Sequence, residues 1–260
     1  MKIKPYLAVY LLLLTFQIQT ALTCDVSVIS VINGDGPIER FAREALEISL
    51  ILKNSAAVIK NKNAELAMQE VRKAMKKWVN FNSAHSKKPA SASINKELWS
   101  SEFNVMTEKL GKISENIEKG EFESAHFLLE KIVAQMNYIV CIAYNDPFKQ
   151  SVAHAELVLL SLRPSEVLLE AKLQSPDSPK INLQKVQRFS SEFSVLLEEV
   201  KSASASPSAV IFQVLSNRHS DLMNEFRKNL LNERVLLRAN VEFERVRELY
   251  SIMKNTFITK

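Results

Sequence analysis

Apolar residues alternate in steps of four and three through the middle of this chain, and this spacing constrains the fold more than any other feature. The pattern runs through two segments, separated by Lys119–Gly120. Its positions are Trp99, Phe103, Met106, Leu110, Ile113 and Ile117, then Phe122, Ala125, Leu129, Ile132, Met136, Ile139 and Ala143. Residues at this spacing form one face of an α-helix, which buries that face against neighbouring helices. The two segments therefore predict a helical hairpin.

Six further segments carry the same spacing and are bounded by polar, proline-containing or glycine-containing turns. In the second predicted helix the apolar positions are Ala64, Met68, Val71, Met75 and Trp78. Four glycines and eight prolines in 260 residues are too few for an all-β fold with many tight turns. We therefore predict an all-α protein of two tandem antiparallel four-helix bundles with up-down-up-down topology. The boundaries would be residues 38–145 for the first bundle and 146–260 for the second, with Pro164 kinking the fifth helix.

The two predicted bundles show weak internal similarity, which suggests a duplication. Ala125, Glu130 and Ile132 match Ala239, Glu244 and Val246 at a constant offset of 114. A second match, at an offset of 110, pairs residues 52–55 with residues 162–165. Whether the two halves are true repeats is left open by the sequence.

The N-terminus has the pattern of an export signal. Lys2 and Lys4 precede an apolar stretch of eleven residues, Tyr6–Phe16, and a polar stretch up to Thr23. Eleven apolar residues are about half of what a membrane-spanning helix needs. We therefore predict a signal peptide over residues 1–23, followed by an extended segment over 24–37, and an extracytoplasmic location. An uncleaved N-terminal anchor is the alternative.

The chain has two cysteines, Cys24 and Cys141. In an oxidising compartment they could form one disulfide, because the start of the first helix and the end of the fourth lie at the same end of an up-down-up-down bundle. Cys24 also follows Ala21-Leu22-Thr23, which loosely resembles a bacterial lipobox, so that lipidation of Cys24 is a second interpretation. A buried thiol at Cys141 is a third.

The hairpin over residues 103–144 resembles the last two helices of cytochrome c′ and of the soluble b-type four-helix cytochromes. The residues that carry the resemblance are Ile117-Glu118-Lys119-Gly120-Glu121-Phe122-Glu123-Ser124-Ala125. In that superfamily the resemblance would imply a four-helix bundle that binds haem. This chain lacks the Cys-x-x-Cys-His motif of the c-type members, and the b-type ligands are also missing. Haem would therefore need other ligands, for which Met136, Tyr138 and Cys141 are the candidates.

Other candidate sites are weak. Glu123 and His126 have the Glu-x-x-His spacing of a di-iron bundle, but the motif has no second copy, so that a solvated helix surface is the better interpretation of this pair. No catalytic motif is present, and we predict that the protein is not an enzyme. A basic side of the second helix could contact an anionic surface, although a solvated helix face is the simpler interpretation. Its residues are Arg72, Lys73, Lys76 and Lys77.

The charge balance argues against nucleic acid as a partner. Without Lys2 and Lys4, the 34 basic residues become 32, against 29 acidic residues. We therefore predict an exported, non-catalytic interaction or structural module of the cell envelope, without a cofactor. Its partner would be a protein or another envelope component, and it would contact a membrane only if Cys24 is lipidated or the signal is uncleaved. The alternative function is a haem-binding electron carrier with non-standard ligands.

Overall fold

The computed structural model describes residues 36–89, 94–203 and 209–258, and these residues form helices without any strand. The predicted signal peptide and most of the segment 24–37 lie outside them. The helices are α1 Pro37–Lys60, α2 Ala64–His85, α3 Lys96–Glu118, α4 Phe122–Ala143, α5 Pro147–Leu160, α6 Pro164–Gln174, α7 Leu183–Ala203, α8 Ala209–Phe226 and α9 Glu233–Ile258. The predicted all-α fold class is confirmed.

Local sequence determines where several helices begin. The side chain of Asn63 accepts a hydrogen bond from the backbone N–H of Leu66 at 3.1 Å, and Asp146 caps α5 in the same way. Such caps satisfy N–H groups that have no partner inside the helix. At the turn between α3 and α4, Gly120 has a φ of 75°, a left-handed conformation that glycine adopts without steric cost. The hairpin predicted around Gly120 is therefore present.

Helices α1 to α4, which we call the first bundle, contact one another in a closed ring. Each packs against the next along the chain, and α4 returns to pack against α1. All six apolar positions predicted on α3 are buried. On α2 the predicted stripe, which started at Ala64, is wrong by a few residues, because Ala64 is exposed and the buried face starts at Ala67.

Helices α5 to α9 form the second bundle, in which α5, α7, α8 and α9 make a second ring of contacts. The short helix α6 packs against α9 and α4. The predicted kink at Pro164 is wrong: α5 ends at Leu160, and Pro164 is the first residue of a separate helix. The reason is that proline is well tolerated at the first helical position, where its missing N–H would have no partner anyway.

Helix α4 joins the two bundles. It packs against α1 and α3 on one side and against α5 on the other, so every residue from Ala134 to Ala143 is buried. Most of these side chains belong to the core of the first bundle, whereas Ala134 belongs to that of the second. Contact through α4 therefore sets how the two bundles face each other.

The pairs of residues that suggested a duplication differ in how they are placed. Ala125 and Ala239 are both fully buried, on α4 and α9 respectively. The second match has no common structure, because residues 52–55 lie inside α1 whereas residues 162–165 include the break before α6. Only the offset of 114 relates equivalent helices, the last of each bundle, and the duplication stays a prediction.

His219, on α8 in the core of the second bundle, should make stability depend on pH. Its ring packs edge-on against Phe193 and lies 3.3 Å from the hydroxyl of Ser190. Burial lowers the pKa of His219 from 6.5 to about 4. The histidine of the unfolded chain therefore binds a proton at a higher pH than the histidine of the folded protein does. The contribution of neutral His219 to the free energy of unfolding is complete above pH 6.5 and is lost as the pH falls toward 4.

We expect the free energy of unfolding to fall by about 2 kcal/mol between pH 7 and pH 5 through this residue alone. Urea unfolding of the wild type and of His219→Gln at both pH values measures it. The variant should lose less stability than the wild type over this interval. An equal loss in both proteins would show that His219 does not contribute to the pH dependence.

Candidate functional site

A cleft of about 720 Å³ lies between the two bundles, lined by α1, α4, α5 and α9. Its volume is in the range of small-molecule sites. The apolar part of the lining consists of Ala56, Ala57, Leu129, Val133, Ala134, Leu159 and Leu160. The polar part consists of Lys53, Lys60, His126, Glu130, Asn137, Glu156, Glu244, Arg247, Glu248, Tyr250, Ser251 and Lys254. Polar groups around an apolar wall are typical of binding sites.

One end of the cleft is held by Arg163, which precedes α6. Its guanidinium lies 2.5 Å from a carboxylate oxygen of Glu130, and the Arg163 side chain is only 6% exposed. It also stacks over the ring of Phe127 at 4.5 Å and over that of Phe243 at 5.5 Å. Arg247 approaches Glu130 at 3.7 Å from α9. These contacts connect α4, α6 and α9, and they pair Arg163 and Arg247 with Glu130. Lys60, which also lies near His126, is exposed to solvent.

The other end carries two lysines and one carboxylate. Lys254 is almost fully buried, and its Nζ donates to both carboxylate oxygens of Glu156 at 3.1 Å. Lys53 is half-buried and forms no ion pair with any residue that the structure describes. Burial lowers the pKa of Lys53, Glu156 opposes that effect, and Lys254 adds to it. Glu248, which also lines the cleft, is exposed to solvent. At this end Lys53 is therefore the half-buried charge that has no ion pair in the described part of the chain.

Two polar groups in the lining are buried without a hydrogen-bond partner in the described part of the chain: Nδ1 of His126 and Oδ1 of Asn137. Asn137 is 5% exposed. Burial lowers the pKa of His126, while Glu130 raises it and the nearby cations lower it further. A buried polar group without a partner costs about 1–3 kcal/mol. A ligand in the cleft could supply the missing partners.

A second polar cluster, between α3, α4 and α6, is balanced in charge. Lys109 donates to Gln135 at 2.9 Å, Gln135 contacts Glu102, and Lys131 pairs with Glu166 at 2.5 Å. Burial, assisted by Lys131, lowers the pKa of Lys109 to about 8. The two lysines and the two glutamates of this cluster balance each other's charges, whereas Lys53, at the end of the cleft, has no ion pair among the described residues.

Of the predicted metal ligands, His126 lines the cleft, whereas Glu123 does not and lines a neighbouring pocket that also contains His126. Within the three described ranges, His, Cys, Asp and Glu nowhere form a group of three that could hold a metal ion. His126 is therefore placed in the cleft rather than on the solvated helix surface that the sequence suggested, and a metal at this pair would lack further protein ligands.

The predicted haem residues do not share a cavity. Met136 is buried in the core of the first bundle, and Tyr138, two residues along the same helix, stacks on His154 at 4.8 Å. Residues two positions apart point to nearly opposite sides of a helix. The cleft between the bundles is not lined by Met136, Tyr138 or Cys141. These residues therefore do not fit a haem, and we derive no function from one.

Cys141 is fully buried near the end of α4. Cys24 lies outside the described residues, so that its disulfide with Cys141 and its lipidation both stay predictions.

The basic residues of α2 are exposed, and two of them already have carboxylate partners. Lys73 pairs with Glu70 at 2.5 Å, and Lys77 pairs with Glu47 at 2.7 Å. Exposed pairs of this kind are worth little energy. A contact between this side of α2 and an anionic surface stays a prediction.

A scan against protein-family models, a search of curated proteins and a search of solved structures each returned no match to this chain. Among the described helices, none has both the length and the apolar character needed to cross a bilayer.

Sequence reasoning missed most of the cleft. Lys53, Glu156 and Lys254 lie on three different helices, separated by about a hundred residues at each step, and no motif connects them. A weak signal was present, because each of the three lies next to an apolar position of its own helix. Only the packing of the second bundle against the first brings them together.

Proposed function

We propose that the protein is an exported, non-catalytic binding module of the cell envelope, and that the cleft between the bundles holds its partner. The observation that supports this most directly is the pair of buried, unpartnered polar atoms, on His126 and Asn137, in a cleft of about 720 Å³. Native structures rarely bury such groups without a reason. A bound partner that forms hydrogen bonds with these two atoms would be such a reason.

The predicted export signal and the ion pairs at the two ends of the cleft support the same proposal. A signal peptide over residues 1–23 would deliver the chain to the envelope, where a binding module meets its partner. The two ends of the cleft are fixed by ion pairs, Arg163 with Glu130 and Lys254 with Glu156. A site formed by paired side chains on helices keeps its shape before the ligand arrives, which lowers the entropic cost of binding.

Filling the cleft should remove binding. Ala57 is an exposed residue of the cleft wall, so that Ala57→Trp adds bulk there without disturbing the core. Ala64→Trp, at an equally exposed alanine outside the cleft, is the matched control. We expect native mass spectrometry of protein purified from the envelope of its own host to show a bound species with the wild type and with Ala64→Trp, but not with Ala57→Trp.

The same spectra test the location, because the mass of the mature chain should correspond to a start at Cys24. A bound species that survives Ala57→Trp would place the site elsewhere. Wild-type protein that carries no added mass would contradict the proposal.

A further inference from the structure

The end of the cleft near Lys53 has a specific charge requirement. Two ammonium groups, Lys53 and Lys254, face one carboxylate, Glu156, and only Lys254 is paired with it. Burying a charge without a partner is costly. One monovalent anion would complete this group and leave it neutral.

The rest of the cleft offers an apolar surface. Along α9 the lining runs from Glu244 to Lys254, which corresponds to about 15 Å at the rise of an α-helix. Leu129 and Val133 on α4 and Leu159 and Leu160 on α5 face this space. At the opposite end, Arg163, Arg247 and Glu130 already form ion pairs with one another. Lys60 and Glu248 also line the cleft, but both are exposed to solvent. A ligand therefore meets one half-buried charge without an ion pair in the described part of the chain, that of Lys53, followed by an apolar wall.

We propose that the cleft binds a small organic carboxylate with an apolar body, whose carboxylate lies beside Lys53 and whose body lies against the apolar wall. This inference rests on the proposed function, since it names the ligand class of the same site. A charge-assisted hydrogen bond from Lys53 would hold the carboxylate. Glu130 on α4 contacts Arg247 on α9. Asn137 and Lys254 each follow seven residues later on the same two helices. The buried amide of Asn137 therefore lies toward the end of the cleft that contains Lys254.

Other ligand charges fit less well. A cation would meet Lys53 and Lys254 together, and a doubly charged phosphate would bring one negative charge more than this end can neutralise. A neutral apolar molecule would cover the apolar wall but leave the half-buried Lys53 without a partner. The carboxylate should therefore bind more tightly than a neutral or cationic molecule with the same apolar body.

Three probes with the same eight-carbon chain separate these cases: octanoate, 1-octanol and octylammonium. We expect isothermal titration calorimetry at pH 7 to show octanoate binding at least about tenfold more tightly than octanol, because only the carboxylate forms a hydrogen bond with Lys53 in which both groups are charged. Octylammonium should not bind. The affinity for octanoate should also fall at alkaline pH, as Lys53 loses its proton below its ordinary pKa.

Substitutions then assign the effect to one residue. Lys53→Met should weaken octanoate binding by about tenfold while leaving octanol unchanged, because only the charged contact is removed. Lys53→Arg, which keeps the charge, should retain most of the affinity. Lys172→Met removes an exposed lysine of α6 that lies outside the cleft and has no ion pair among the described residues, and it should behave as the wild type. Thermal unfolding of each variant checks that it is folded.

Two outcomes would overturn the inference: equal affinity for octanoate and octanol, or full octanoate binding by Lys53→Met. Either could occur while Ala57→Trp still abolishes binding of the natural ligand, and the cleft would then be a site for another ligand class. If Ala57→Trp leaves the natural ligand bound but octanoate requires Lys53, the proposed function fails instead.

Discussion

Replacing Trp78 with alanine should lower the free energy of unfolding by about 3–5 kcal/mol, which is the usual cost of removing a buried large aromatic side chain. Trp78 is 2% exposed and lies in the core of the first bundle. Its ring centroid is 5.3 Å from that of Phe103 and 5.6 Å from that of Phe81. These neighbours lie on two packed helices, α2 and α3, which can collapse only partly into the space left behind.

Trp78 also makes a polar contact that alanine would remove. Its Nε1–H donates to the hydroxyl of Thr107 at 3.0 Å, and that hydroxyl in turn donates to the backbone carbonyl of Phe103 at 2.9 Å. Loss of the indole leaves the threonine oxygen with one partner fewer. This adds little to the cavity cost, because Thr107 is exposed and water can replace the lost donor.

Urea unfolding followed by circular dichroism at the helical minimum measures the effect. Val79→Ala is the matched control, since Val79 follows Trp78 on the same helix and is 61% exposed. It should change stability by no more than about 0.5 kcal/mol. A loss below about 1 kcal/mol for Trp78→Ala would mean that the side chain is not held in the packed aromatic cluster.

The helices and much of the core follow from the sequence, because both depend on local patterns. Every predicted apolar position of α3 is buried, since a strict alternation of four and three steps fits only one helix face. The prediction was less accurate on α2. Met68 and Met75 were assigned to the buried stripe but are only half-buried, whereas Ala67 and Ala74 are fully buried. Small residues carry little hydrophobic signal, so their role in close helix packing is difficult to read.

The break at Pro164 shows a different limit. From sequence, a proline in an apolar pattern can kink a helix or start a new one. The backbone N–H and the hydroxyl of Ser165 both bond the side chain of Asn240, at 3.2 and 2.8 Å, so that α9 contributes to fixing this turn. That contact spans 75 positions of the chain, and no local pattern could reveal it.

The cleft could not be predicted from the sequence for the same reason, since it depends on contacts between distant parts of the chain. Its charged residues look like ordinary solvated positions when each helix is considered alone, as His126 did. They become informative only when two bundles meet and bury them. Arg163 is the clearest case: in the sequence it is one basic residue before a proline, whereas in the structure it is 5% exposed and contacts two helices other than its own.

Arg163 therefore gives the second large prediction. Arg163→Met should lower the free energy of unfolding by about 2–4 kcal/mol, because it leaves Glu130 partly buried with only the distant Arg247 as partner. The loss is moderated since Glu130 is 28% exposed and water can still reach it. The stacking of the guanidinium over Phe127 and Phe243 is also lost, although methionine replaces part of that contact.

A second substitution separates the ion pair from the packing. If the uncompensated charge of Glu130 causes most of the loss, the double variant Arg163→Met/Glu130→Leu should regain at least half of it, because an apolar pair can replace a buried ion pair at little cost. Arg245→Met, which removes an arginine that is 50% exposed and pairs only within α9, should change stability by no more than about 0.5 kcal/mol. A double variant as unstable as Arg163→Met would instead assign the loss to packing. Arg163 would then hold α4 and α9 together through its contacts with Phe127 and Phe243 rather than through its charge.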